Sequence, residues 1–155
     1  MSFDRLDACL AAANPESMDW ADGGGWEAAL EPLSEFTDND WDRLEAVLNV
    51  RSSDWRTSLA ELLTPVLGDR AAKVVLQLTA DDDPGVAFVA LCQVLFHCGV
   101  NRGPDGAFED PKIVNEDFLA RVRADEAFRR RLPNYDDFLV DARTMLAEIL
   151  DRQPA

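Results

Sequence analysis

Thirty carboxylates, one histidine and three cysteines are the side chains of this chain that could do chemistry, and their spacing decides how much. His97 stands near the end of the most apolar stretch, with no Cys or Asp at ligand spacing. One imidazole cannot build a zinc site alone, and general acid–base work needs partners that the sequence does not supply. It reads as a core or helix-terminus histidine. Without a second base, neither a Ser nor a Cys nucleophile can be assigned an activating partner. Asp81-Asp82-Asp83 lacks the twelve-residue spacing and closing Glu of a calcium loop, so it reads as a helix cap on a solvated turn. Gly23-Gly24-Gly25 follows no strand pattern and does not support a phosphate loop. Paired carboxylates could still do acid–base work, but thirty acids always place some in pairs. The expectation is no catalytic residue, no metal, no cofactor and no enzyme activity.

Cys9, Cys92 and Cys98 are odd in number and lie inside helical patterns, so disulfides are not expected. Cys92 and Cys98 are six apart, on different faces of one helix. Arg129-Arg130-Arg131 is the only basic cluster, on a solvated helix face opposite Phe128 and Leu132.

Charge is more informative than any motif. The 155 residues carry a formal net charge of −15, unevenly spread. Residues 1–50 hold twelve acids and two bases, residues 51–110 nine and five, and residues 111–155 nine and eight. A field of this sign repels nucleic acid and anionic lipid and speeds encounter with basic protein surfaces. Solubility is the competing explanation. No apolar run is long enough to cross a bilayer, and Asp4, Arg5 and Asp7 stand where a signal peptide would be basic and then apolar. A cytoplasmic protein is expected.

The elements that must position these residues are helical throughout, since no segment alternates with period two. A first helix is predicted over Ser2 to Ala13, capped by Ser2, with Phe3, Leu6, Cys9, Leu10 and Ala13 on one face. A Gly-rich acidic loop carrying Met18, Trp20 and Trp26 follows, then a short helix from Trp26 to Leu33 limited by Pro32. Thr37 or Asp38 caps the next helix, with Trp41, Leu44, Val47 and Leu48 inward. Another starts near Ser53 or Asp54, with Trp55, Leu59, Leu62, Leu63 and Val66 inward, and ends near Pro65 and Gly68. Asp69 caps a helix through Thr79. Asp83 and Pro84 open a helix to Cys98 that is apolar nearly all round, with Val86, Val89, Ala90, Leu91 and Val94 expected at near zero exposure. After a loop from Asn101 to Asp110, helices are predicted over Asn115 to Ala124, Asp125 to Leu132 and Asn134 to Arg152, the last with Phe138, Leu139, Ala142, Met145, Leu146, Ile149 and Leu150 inward. The expected fold is all-α, one domain over residues 1–155 with about seven or eight helices.

Residues 41–96 read as one helix–turn–helix pattern written twice. A shift of 31 lays Leu44 on Val75, Val47 on Leu78, Trp55 on Val86, Leu59 on Ala90, Ala60 on Leu91 and Leu63 on Val94, and Arg51-Ser52-Ser53 on Asp82-Asp83-Pro84. Periods in the low thirties arise from stacked helical pairs, because one pair cannot bury its apolar face alone.

The stretch from Gly68 to Leu95 resembles a HEAT-like repeat: Val74, Val75 and Leu78, then Asp81 to Pro84, then Val86, Ala90 and Leu91. Trp41 to Leu63, with Trp55-Arg56 opening its second helix, resembles a divergent copy. Ala87 stands where that family usually has Arg. The resemblance implies two HEAT-like helical pairs and a role in binding other macromolecules. By size, charge and helical pattern the chain also resembles the cytoplasmic immunity proteins of bacterial polymorphic toxins. That likeness implies a non-enzymatic protein that blocks a toxin by binding it.

The expected function is therefore protein binding: an acidic immunity or antitoxin protein masking a basic surface of its cognate toxin. The alternative is an acidic adaptor or effector chaperone, and a carboxylate-using enzyme is a third reading. No nucleic acid or membrane partner is expected. The expected partner-binding residues are Asp19, Trp20, Asp22, Trp26, Glu31, Glu35, Asp38 and Asp40, with Asp81 and Asp82 on the helical-pair turn. Trp20 and Trp26 carry a competing reading, in which both rings fold back over the open end of the helical stack.

Overall fold

Residues 1–111, 113–135 and 140–152 are described in the computed structural model. All regular structure among them is helical, in ten α-helices; the one β feature is an isolated bridge between Arg102 and Phe108. The count exceeds the expected seven or eight partly because a four-residue helix forms inside the first loop. None of the described helices is long and apolar enough to cross a membrane. The chain divides into two compact units, Met1–Leu63 and Thr64–Ala155.

The first unit is organised by α1 (Ser2–Ala12), which buries Phe3, Leu6 and Leu10. It packs on α3 (Gly25–Ser34), α4 (Asp38–Val47) and α5 (Ser53–Leu62); α2 (Met18–Ala21) leans on α3. Pro32 lies inside α3 rather than ending it, because its ring is buried in the last turn and packing offsets the missing N–H. Thr37 and Asp40 form a reciprocal capping box at the start of α4. Asp40 does more. Its Oδ2 accepts the Thr37 N–H at 3.0 Å and the Thr37 hydroxyl at 2.8 Å, while its Oδ1 accepts the Phe3 N–H at 3.2 Å. The expected Ser2 cap is therefore wrong: Ser2 is already helical, and an orphan donor of α1 is satisfied from α4.

Trp41 and Trp55 are core residues, as their apolar stripes predict. Val66 is not. After α5 ends at Leu62, Pro65–Leu67 turns as a 3-10 helix, the helical phase is lost, and Val66 is 86% exposed.

The second unit is built around α7 (Pro84–Cys98), which packs on α6 (Asp69–Leu78), α8 (Glu116–Ala124) and α10 (Val140–Asp151). Asp69 is the first helical residue of α6 and not its cap; Gly68 precedes it in the left-handed region at φ +82°. Asp83 caps α7 as its sequence predicts, accepting from the N–H groups of Gly85 and Val86. Gly99 closes α7 at φ +102°, where an added Cβ would lie 2.2 Å from the Ile113 carbonyl oxygen. Only glycine fits there. Asn115 caps α8 and Asp125 caps α9 (Glu126–Arg131). Val86, Ala90, Leu91 and Val94 are fully buried, whereas Val89 is half-buried. Val89 shares one stripe of α7 with Gly85, Phe88 and Phe96, and neighbours cover that stripe incompletely. His97 is buried with its ring 5.2 Å from Phe118. Ala142, Leu146 and Ile149 of α10 are buried; Phe138 and Leu139, expected on the same face, lie outside the described residues.

Truncating Leu91, at 0% exposure, to Ala should cost roughly 2–5 kcal/mol in denaturant unfolding. A second expectation concerns Asp40, whose carboxyl is held below the usual carboxylate range, chiefly by the Thr37 backbone N–H. A lowered folded pKa gives stability that is present above the ordinary aspartate pKa and lost as pH falls through the lowered value. Asp40→Ala, which strands the Thr37 and Phe3 N–H groups, should therefore cost about 1–3 kcal/mol at neutral pH. The melting curves of variant and parent should converge as the medium is acidified.

Candidate protein-binding surface

Fourteen acids and four bases occupy the first unit. The few cations are engaged. Arg5 bridges Glu31 and Glu35 at 3.2 and 3.1 Å, and Arg43 pairs with Asp4 at 2.7 Å. Arg51 makes a two-pronged contact to Asp7, both bonds at 2.9 Å, and Asp7 also accepts the Trp55 indole N–H at 2.9 Å. Arg56 donates to the Arg51 carbonyl. The carboxylates therefore separate into those that brace the helices and those that face water.

Ser17 caps α2 by accepting the Trp20 N–H, and this turn decides what the acidic loop presents. The Trp20 ring is 4% exposed, and its indole N–H donates to Glu61 Oε2 at 2.5 Å. Burial pushes the Glu61 carboxyl above its usual range, against the opposing effect of that hydrogen bond. Trp20 is consequently a core residue rather than a surface anchor, as the reading with the ring folded back had it. With Trp20 turned inward, Met18 faces outward at 71% exposure, beside exposed Asp19. Asp22 is also exposed, and Trp26 is half-buried in the first turn of α3 next to exposed Glu27. Asp19, Asp22 and Glu27 have no ion pair among the described residues.

The other expected residues divide in the same way. Asp40 is buried as the double cap described above, so it is not available to a partner. Glu31 and Glu35 are exposed but share Arg5. Asp38 is exposed at the first position of α4. In the second unit Asp82 is exposed, and Asp81 is half-buried with its Oδ1 accepting the Asp83 N–H at 2.9 Å. Sequence reasoning passed over Met18, Glu27 and Glu61. The available signal was Ser17 three residues before Trp20, a capping spacing that fixes which side of the turn faces inward.

Among the described residues no group of three or more His, Cys, Asp or Glu side chains could hold a metal. The three cysteines are free, and burial pushes the Cys98 thiol up to about 12, away from nucleophilic chemistry at neutral pH. The arrangement offers charge and apolar contact, which are the means of recognition. No protein-family profile matches the chain, and neither the curated proteins nor the solved structures compared with it give a significant match.

Proposed function

We propose that the protein acts without catalysis, by binding a partner protein that presents a basic surface to α2 and the start of α3. The observation that carries this reading is the exposed set Asp19, Asp22 and Glu27 around Met18 and Trp26, in a unit whose few arginines are already engaged. Apolar side chains ringed by uncompensated charge suit a small hot spot with a steering rim. In this reading the partner is a cognate toxin, and the chain is a cytoplasmic immunity protein that masks its basic surface. The α6–α7 pair, joined through an Asp-Pro turn and packed together, supports a HEAT-like unit in the same scheme. In the candidate first copy, α4 and α5 pack on α1 more than on each other, which does not favour a second such unit.

The test begins with the tight partner recovered from the native host, followed by stopped-flow binding at low and high salt. Steering acts on association and fades with ionic strength, whereas a buried apolar anchor acts on dissociation. The triple change Asp19→Asn, Asp22→Asn, Glu27→Gln should slow association roughly tenfold at low salt and flatten its salt dependence. Met18→Ala should mainly speed dissociation. Co-expression with the partner should restore growth for the parent and less so for the triple variant. A partner with an acidic surface, or unchanged kinetics in both variants, contradicts the proposal; a partner that is delivered rather than inhibited points to a chaperone.

A further inference from the structure

In the second unit a ridge of α10 runs between two clefts. The first, of about 560 Å³, lies between α10 and the corner where α9 passes into the Leu132–Asn134 3-10 turn. Leu132, Pro133, Ala147 and Leu150 supply its apolar lining. The second, of about 470 Å³, lies on the other side of α10, against Phe88 and Phe108. Thr144 and Glu148 line both clefts, so they form the crest between them. With Asp151 they recur at spacings of four and three, a ridge about 10 Å long. The walls of the first cleft are fixed from within the fold. Arg143 Nη1 donates to the carbonyls of Pro133 and Tyr135 at 3.2 and 3.0 Å, and Arg123 Nε donates to the Leu150 carbonyl at 3.1 Å. Three further charges line this cleft: Arg129 on the α9 wall, and Glu148 and Asp151 on the α10 wall. All three are exposed, and their side chains make no hydrogen bond or ion pair among the described residues.

We infer that this ridge and the first cleft form a two-fold contact between two copies of the chain, the α10 ridge of each copy seated in the cleft of the other. Shape favours such a contact. A two-fold axis puts the same patch on both sides, and a ridge beside a groove fits a rotated copy of itself. Charge selects the same occupant. The unpaired cation and the unpaired carboxylates stand on opposite walls, so a basic segment laid in the cleft meets Arg129 and an acidic one meets Glu148 and Asp151. A second copy brings both signs in reversed order, setting Arg129 of each copy against Glu148 and Asp151 of the other. The arginine fork suits a carboxylate partner. Closing the contact also removes exposed Pro133 and half-buried Ala147 and Leu150 from water. The formal net charge of −15 opposes association in general. At physiological ionic strength, however, the Debye length is about 8 Å, so charges at the contact act mainly on each other. The inference does not depend on the acidic surface of the first unit.

Sedimentation velocity of the full chain at physiological ionic strength, from micromolar to sub-millimolar concentration, is the test. A reversible monomer–dimer equilibrium is expected. Glu148→Arg sets arginines together across the axis, and Arg129→Glu sets carboxylates together. Each alone should therefore raise the dimer dissociation constant at least about tenfold. An equimolar mixture of the two variants should recover association close to the parent's, because the residues at 129 and 148 again meet with opposite signs. Recovery on mixing separates a lost contact from a lost fold. Both positions are exposed, and melting curves check each variant; should Glu148→Arg unfold, Asp151→Arg takes its place in the mixture. A parent that stays monomeric, which would leave the cleft to another protein, overturns the inference. So does a dimer that neither variant weakens, or a mixture no more associated than its components.

Discussion

One carboxylate ties together the N-termini of two helices, and the first unit is arranged around it. Asp40 accepts from Thr37 at the start of α4 and from Phe3 at the start of α1, serving donors that helix geometry leaves orphaned in both. Because α1 packs on α3, α4 and α5, fixing where α1 begins fixes the phase of every apolar stripe that meets it. Asp7 repeats the device one turn later on the same helix, joining Arg51 and the Trp55 indole. Glu61 does so for Trp20. Acids in this unit are thus partly structural. Only the remainder can form a field for a partner.

That division explains what was legible in the sequence. Caps at Thr37 and Asp83 were readable because a cap is a local contract between a side chain and an N–H two or three residues on. The burial of α7 was readable because its composition leaves little polar surface to expose. Asp40 was not readable as a core residue, and the sequence left the two readings of Trp20 undecided. Their partners, Phe3 and Glu61, lie 37 and 41 residues away, and nothing local distinguishes a carboxylate that reaches another helix from one that faces water. Val66 failed for a related reason: a proline-led 3-10 turn shifts the phase on which a helical stripe depends.

The two units therefore use charge differently. In the first, structural acids absorb the arginines and leave the acidic edge at α2–α3 uncompensated. In the second, Asp125 is spent on a cap and Asp69 on an ion pair with Arg121. Both arrangements obey the same constraint: a carboxylate already satisfied within the fold contributes little to recognition. Neither arrangement needs a reactive group.

The separation of structural from available carboxylates is the central claim, and chemical denaturation of two variants tests it most directly. Asp7→Asn removes one charge from a carboxylate that braces α1, and it should lower stability by about 1.5–3 kcal/mol, the range for hydrogen bonds to charged groups. The triple change Asp19→Asn, Asp22→Asn, Glu27→Gln removes three charges from the exposed edge. It should leave stability within about 0.5 kcal/mol of the parent, or raise it by easing repulsion. A triple variant as destabilised as Asp7→Asn, or an Asp7→Asn variant as stable as the parent, would contradict the account.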